Sequence, residues 1–183
     1  MKQRVLIAAF LILAALAYPT SMFVVGLPEL STASEVIVQA KVTAIVPQFN
    51  RDSTQIVTYI RMNINDDLLG DKEDNEIIIR QPGGTLGSKM MAVEGTTTYR
   101  VGDNNVLFLR RDLENNSTFQ TLGLYQGKYR IFTDASNVQR VAQEVNGKVI
   151  LYKSAAGTGP VETGNNLPLN EFKTKVLSYR TGQ

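Results

Sequence analysis

The sequence predicts a mainly β domain: an antiparallel barrel with a short N-terminal helix and a C-terminal helix. Three observations lead there. Apolar residues alternate with polar ones over two long runs between 36 and 64, with a polar turn between them. Shorter runs rich in Val, Ile, Phe and Tyr follow, divided by Gly and Asn. Near the end, apolar side chains return at helical spacing. With 183 residues and 43% apolar content, the chain is large enough to close a core.

The first element precedes the domain. Lys2 and Arg4 lead an apolar run, VLIAAFLILA, and Ala15-Leu16-Ala17 offers the small residues of a signal-peptidase site, so 1–17 reads as a signal peptide. Uncut, the uncharged stretch from Val5 to about Leu27 just matches a bilayer core of ~30 Å as a helix, although Pro19, Thr20 and Ser21 interrupt it. The chain is therefore expected to be exported, secreted or periplasmic, with an N-terminal membrane anchor as the alternative. The domain occupies 27–183.

LPELSTAS (27–34), with its early proline and polar residues, predicts the short first helix. In SEVIVQAKVTAIV the residues Val36, Val38, Ala40, Val42, Ala44 and Val46 share one face, opposite Gln39, Lys41 and Thr43. QFNRDS turns the chain. Ile56, Thr58, Ile60, Met62 and Ile64 then repeat the alternation, completing a long hairpin. Strands are expected at 76–81, 105–111, 118–124 and 128–132, and VQRVAQEV and KVILY flank Asn146-Gly147 as a further hairpin. SAAGTGPVETGNN (154–166) reads as a surface loop crossing back over the barrel. PLNEFKTKVLSYR places Leu169, Phe172, Val176 and Tyr179 on one stripe of the last helix. Closing so many antiparallel strands into a barrel removes exposed edges.

Composition limits the chemistry. There is no His and no Cys, which removes Ser-His-Asp and Cys-His machinery, His-ligated zinc, disulfides and lipidation at an N-terminal cysteine. No Ser-x-x-Lys occurs. GLYQGKY (123–129) is not a phosphate loop, since three residues rather than four separate its glycines and Tyr129 follows Lys128. Of 19 Lys and Arg, Lys2 and Arg4 lie in the leader, leaving 17 to balance 17 Asp and Glu. A neutral mature chain argues against nucleic acid. Neither an enzymatic activity nor a cofactor is expected. DDLLGDKEDNE (66–76) is acidic enough to raise the question of calcium, but its spacing is not that of an EF-hand, and it reads as a solvated hairpin end with no metal.

ASEVIVQAKVTAI, a long first hairpin entered from a short segment, resembles the opening of netrin and tissue-inhibitor-of-metalloproteinase modules. The phrases IIIRQPGG, VGDNNVLFL and GLYQGKYRIF, with LNEFKTKV at the end, are similar to a group of uncharacterised exported bacterial proteins; together the resemblance covers about 30–178. It implies an OB-like barrel. The tissue inhibitors grip zinc through an N-terminal cysteine, which this chain lacks.

Two places attract attention as binding surface. In RQPGGTLGSKMMAVEG (80–95), Pro82 ends a strand, Gly83 and Gly84 permit positive φ, and Met90 and Met91 offer soft apolar surface beside Arg80 and Gln81. This is either a binding lip or a corner where the sheet turns over, with a methionine plugging the barrel end. In GLYQGKYRIF, Gly123 marks a bend and Gln126-Gly127 a tight reversal, while Gln126 and Lys128 are candidates for a ligand groove. The expected function is an exported, non-enzymatic binding module for an extracytoplasmic protein, peptide or glycan, touching a membrane only if the leader is retained. The alternative is a regulator of an extracytoplasmic metalloprotease that does not use an N-terminal cysteine.

Overall fold

The computed structural model describes residues 21–70, 75–144, 150–152 and 161–181. Its elements are β1 (Ser21–Phe23), α1 (Leu27–Ala33), β2 (Val36–Phe49), β3 (Ile56–Leu69), β4 (Glu76–Pro82), β5 (Gly84–Leu86), β6 (Lys89–Met91), β7 (Asn104–Arg111) and β8 (Phe119–Thr121). A 3₁₀ turn (Leu124–Gly127), β9 (Lys128–Thr133), β10 (Gln139–Gln143), β11 (Ile150–Tyr152) and α2 (Leu169–Thr181) complete it. The main sheet runs β10-β9-β7-β2-β3-β4-β8, and β8 returns to pair with β7. Five strands, β2, β3, β4, β8 and β7, thus form a closed barrel. All neighbours are antiparallel except β4 and β8, which meet in parallel at Ile79 and Phe119.

Two cores share the barrel wall. Inside lie Val36, Val38, Ala40 and Val42 of β2, Ile60 and Met62 of β3, Ile77 and Ile79 of β4, and Leu107 and Leu109 of β7, with Tyr99 and Phe119. Outside, Ile37, Val106 and Phe108 pack with Leu27 and Leu30 of α1 and with Leu169, Phe172 and Val176 of α2. This is why VIV and VLFL are continuous apolar runs: both faces of β2 and β7 are buried there. Phe172 joins the layers, its ring 6.2 Å from that of Phe108 and 4.7 Å from that of Tyr129. Arg180 of α2 donates to the carbonyls of Ser31 and Ser34, satisfying the end of α1.

Three expectations need correction. The alternation of β2 does not persist to Val46, because pairing jumps from Val42–Met62 to Ala44–Arg61 and leaves Thr43 as a bulge. The extra residue exchanges the faces: Ile45 packs toward the barrel, Ala44 is half-buried and Val46 is 42% exposed. The strand expected over 118–124 ends at Thr121, and Gly123 turns the chain in the left-handed region at φ 63°. The strands flanking Asn146-Gly147 have other described partners, β10 lying on β9 and β11 running parallel to β1; the Asn-Gly itself is outside the described residues. Of the loop expected over 154–166, the described part is bonded to the body, with Leu27 N–H donating to the Glu162 carbonyl and Asn166 N–H to that of Val141.

Candidate functional site

One mouth of the barrel is shaped by the glycine pair after β4. Pro82 is the last residue paired with β3, and the Gly83 N–H then donates to the Ile56 carbonyl. Gly83 (φ 87°) and Gly84 (φ 136°) reverse the chain, so that the β5–β6 hairpin folds over the ribbon of β2 and β3. The approach is close. A Cβ on Gly84 would stand 2.3 Å from the Thr58 hydroxyl, which itself donates to the Gly83 carbonyl at 2.7 Å.

Two cavities flank the end of β4. The first, about 410 Å³, lies between Gln55 and Val57, Arg80 to Pro82, Thr96 and Thr97, and the strand and turn from Gln120 to Leu124, with Arg110 and Glu114 at its side. The second, about 510 Å³, opens into the barrel mouth between Ile45, Pro47, Gly83, Gly84 and Met91 and reaches Ile60 and Tyr99. Gln81, Pro82, Thr96 and Thr97 line both. This wall is tied by a reciprocal pair: the Gln81 amide donates to the Thr97 carbonyl, and the Thr97 hydroxyl donates to Gln81 Oε1, both at 3.2 Å.

Arg80 anchors the first cavity to the loop between β7 and β8. Its Nη1 donates to Asp112 at 3.2 Å and its Nη2 to Glu114 at 2.6 Å. Asp112, fully buried, also accepts from the Thr118 hydroxyl, the Gln120 amide and the Glu114 N–H. Burial opposes the Arg80 charge, but the two carboxylates outweigh it and raise its pKa above the ordinary arginine value.

Lys128 and Gln126 do different work. The Lys128 side chain is 2% exposed; its Nζ donates to the Thr98 carbonyl at 2.5 Å and to Glu144 at 3.0 Å, and lies 4.9 Å from the centre of the Tyr99 ring. It thus holds two residues that line the second cavity. Gln126 accepts from the Val25 N–H at 2.8 Å and donates to the Phe23 carbonyl at 3.0 Å, so its amide takes the part of a neighbouring strand for the N-terminal segment. Gly127 is required beside it, since a Cβ there would stand 2.3 Å from the Leu122 carbonyl oxygen.

Glu144 sits between Lys128 and Arg130. Burial pushes its carboxyl up, yet the Lys128 hydrogen bond and the charges of Lys128, Arg130 and Arg100 prevail, and the pKa lies below the ordinary glutamate value of 4.5. A depressed carboxylate contributes stability that is fully present above its unfolded pKa and lost as pH falls through the folded one. Glu144→Gln is therefore expected to cost about 1 kcal/mol or less at neutral pH, given solvent screening. In urea titrations this gap should narrow below about pH 4.5; a gap that is constant from pH 7 to pH 3 would show that the ion pair contributes nothing.

Of the eight residues singled out from sequence, Arg80, Gln81, Gly83, Gly84 and Met91 line the two cavities. Met90, 76% exposed, stands on the β5–β6 hairpin above the second cavity as surface rather than as a plug. Gln126 and Lys128 are engaged in internal bonds. Sequence reasoning missed Gln55, Thr97, Arg110 and the Asp112 hub; TTTY and LRRD offer no local sign of them, because only long-range pairing assembles the site. Of the acidic stretch expected as a hairpin end, Asp66 and Asp67 instead extend β3 and pair with β2, because register with β2 carries the strand to Leu69; Lys173 donates to Asp66 at 2.8 Å, and Asp71, Glu73 and Asp74 lie outside the described residues. Among the described residues, no group of three or more His, Cys, Asp or Glu side chains gathers as for a metal, and no helix is long and apolar enough to cross a membrane. No known protein family matches the chain, and neither does any curated sequence.

Proposed function

We propose that this chain is an exported, non-enzymatic binding module that grips a protein or peptide outside the cytoplasm through the cavities beside β4. The observation that carries this is where the first cavity falls in the strand order. In chain order the barrel runs first, second, third, fifth, fourth and back to the first, with the third and fifth strands parallel. That is an OB-like arrangement, in which ligands bind on the second and third strands and on the loops joining strands one to two and four to five. The first cavity draws on those parts: Val57 from the second strand, Arg80 to Pro82 from the third, Gln55 from one loop and Glu114 from the other.

Nucleic acid is disfavoured by the even charge balance and by a lining of the first cavity without aromatic side chains on which bases would stack. The second reading, regulation of an extracytoplasmic metalloprotease, draws on the resemblance to tissue inhibitors and on the same barrel order. In that case the loops at the barrel mouth would meet the protease, since Phe23 and Val25 are tied to Gln126 and there is no cysteine to reach a zinc ion.

Photo-crosslinking in the native envelope tests the proposal. A benzophenone side chain at Met90 or Leu124 is expected to yield a discrete adduct, and one at Thr174, on the exposed side of α2, is not. A metalloprotease in the adduct would favour the second reading. Equal labelling at all three positions would overturn both.

A further inference from the structure

Resting on the reading that the first cavity is a ligand site, we propose that it takes an acidic peptide segment: one Asp or Glu carboxylate on Arg110, and a neighbouring aliphatic side chain over Val57, Pro82, Leu122 and Leu124. Two arginines and one glutamate line the cavity. Arg80 is committed, with one Nη on buried Asp112 and the other on Glu114. Glu114 in turn already has its cation. Arg110 is exposed at the cavity and makes no ion pair among the described residues, so it is the charge left for a ligand. A guanidinium presents parallel N–H donors that match the two oxygens of a carboxylate, which makes the expected contact bidentate.

The rest of the lining selects a peptide. Its apolar patch is aliphatic, with no aromatic face for a sugar ring to stack on. β4 is paired with β3 along its whole length but with β8 only at Ile79 and Phe119, and the cavity opens just past that bridge, where the side chains of Arg80, Gln81 and Pro82 line it. Gln55 supplies an amide, and Thr96, whose hydroxyl already donates to the Val93 carbonyl, supplies an acceptor oxygen beside the aliphatic patch, suited to peptide C=O and N–H groups. The volume lies within the roughly 300–1,000 Å³ common among small-ligand sites.

The test titrates the purified chain with three capped peptides, acetyl-Leu-Glu-Leu-amide and its Gln and Lys counterparts, followed by amide and arginine-side-chain NMR shifts. The Glu peptide is expected to move Val57, Leu122, Leu124 and the Arg110 Nε–H. It should bind about tenfold or more tighter than the Gln peptide, the worth of a hydrogen bond to a charged group. Arg110→Gln should erase that preference without changing the melting temperature. Equal binding of the Glu and Gln peptides, or a preference that survives Arg110→Gln, would overturn the inference. Shifts confined to Ile45, Met91 and Val93 would also sink it while leaving the binding-module reading in place; if no peptide shifts either cavity, both are lost.

Discussion

Ile60→Asp is expected to abolish folding. Ile60 is fully buried inside the barrel, paired with Ile45 on one side and Ile79 on the other. Ile60 packs among Val, Ile, Leu, Met, Tyr and Phe side chains, and burying a carboxylate uncompensated among them costs several kcal/mol, a large part of the 5–15 kcal/mol typical of a whole domain. Arg61→Asp on the opposite face is the control: its side chain is 53% exposed, and only a surface pair with Glu76 is lost. Circular dichroism should show no cooperative melt for the first variant and a nearly unchanged one for the second. A native-like melt for Ile60→Asp would mean that the barrel does not enclose the inner face of β3.

Asp112→Ala carries the next largest effect. The side chain accepts from four groups, and its loss leaves the Arg80 guanidinium, 12% exposed, with Glu114 alone. Removing one partner of a buried ion pair costs about 3–5 kcal/mol. The double variant Arg80→Met, Asp112→Leu removes both charges and should recover part of that loss in urea unfolding, the remainder being the cost of the Gln120 amide and Glu114 N–H donors left without this acceptor. A single variant within 1 kcal/mol of wild type, roughly the worth of a surface pair, would mean that water reaches the cluster.

The elements that were legible owe it to local physics. Branched residues at every second position announce β2 and β3, and Leu169, Phe172 and Val176 announce α2, because each pattern depends on the element's own geometry. The Thr43 bulge was not legible, since it arises from the register with β3 and not from any preference of Thr43. The outer face of β2 was likewise expected to be polar, on the evidence of Gln39, Lys41 and Thr43, yet Ile37 is buried beneath the helices. At the candidate site, Gly83 and Gly84 declared a turn through their freedom at positive φ. Arg110 did not stand out, because any strand reaching solvent tends to end in charge, and its cavity exists only where Gln81 meets Thr97.

The amide of Gln126 holds residues that precede it by about a hundred positions. During synthesis Phe23 and Val25 appear long before Gln126, and contacts of such sequence separation form late. The segment from Phe23 to Val25 therefore docks among the last steps of folding, once the 3₁₀ turn that carries Gln126 is in place.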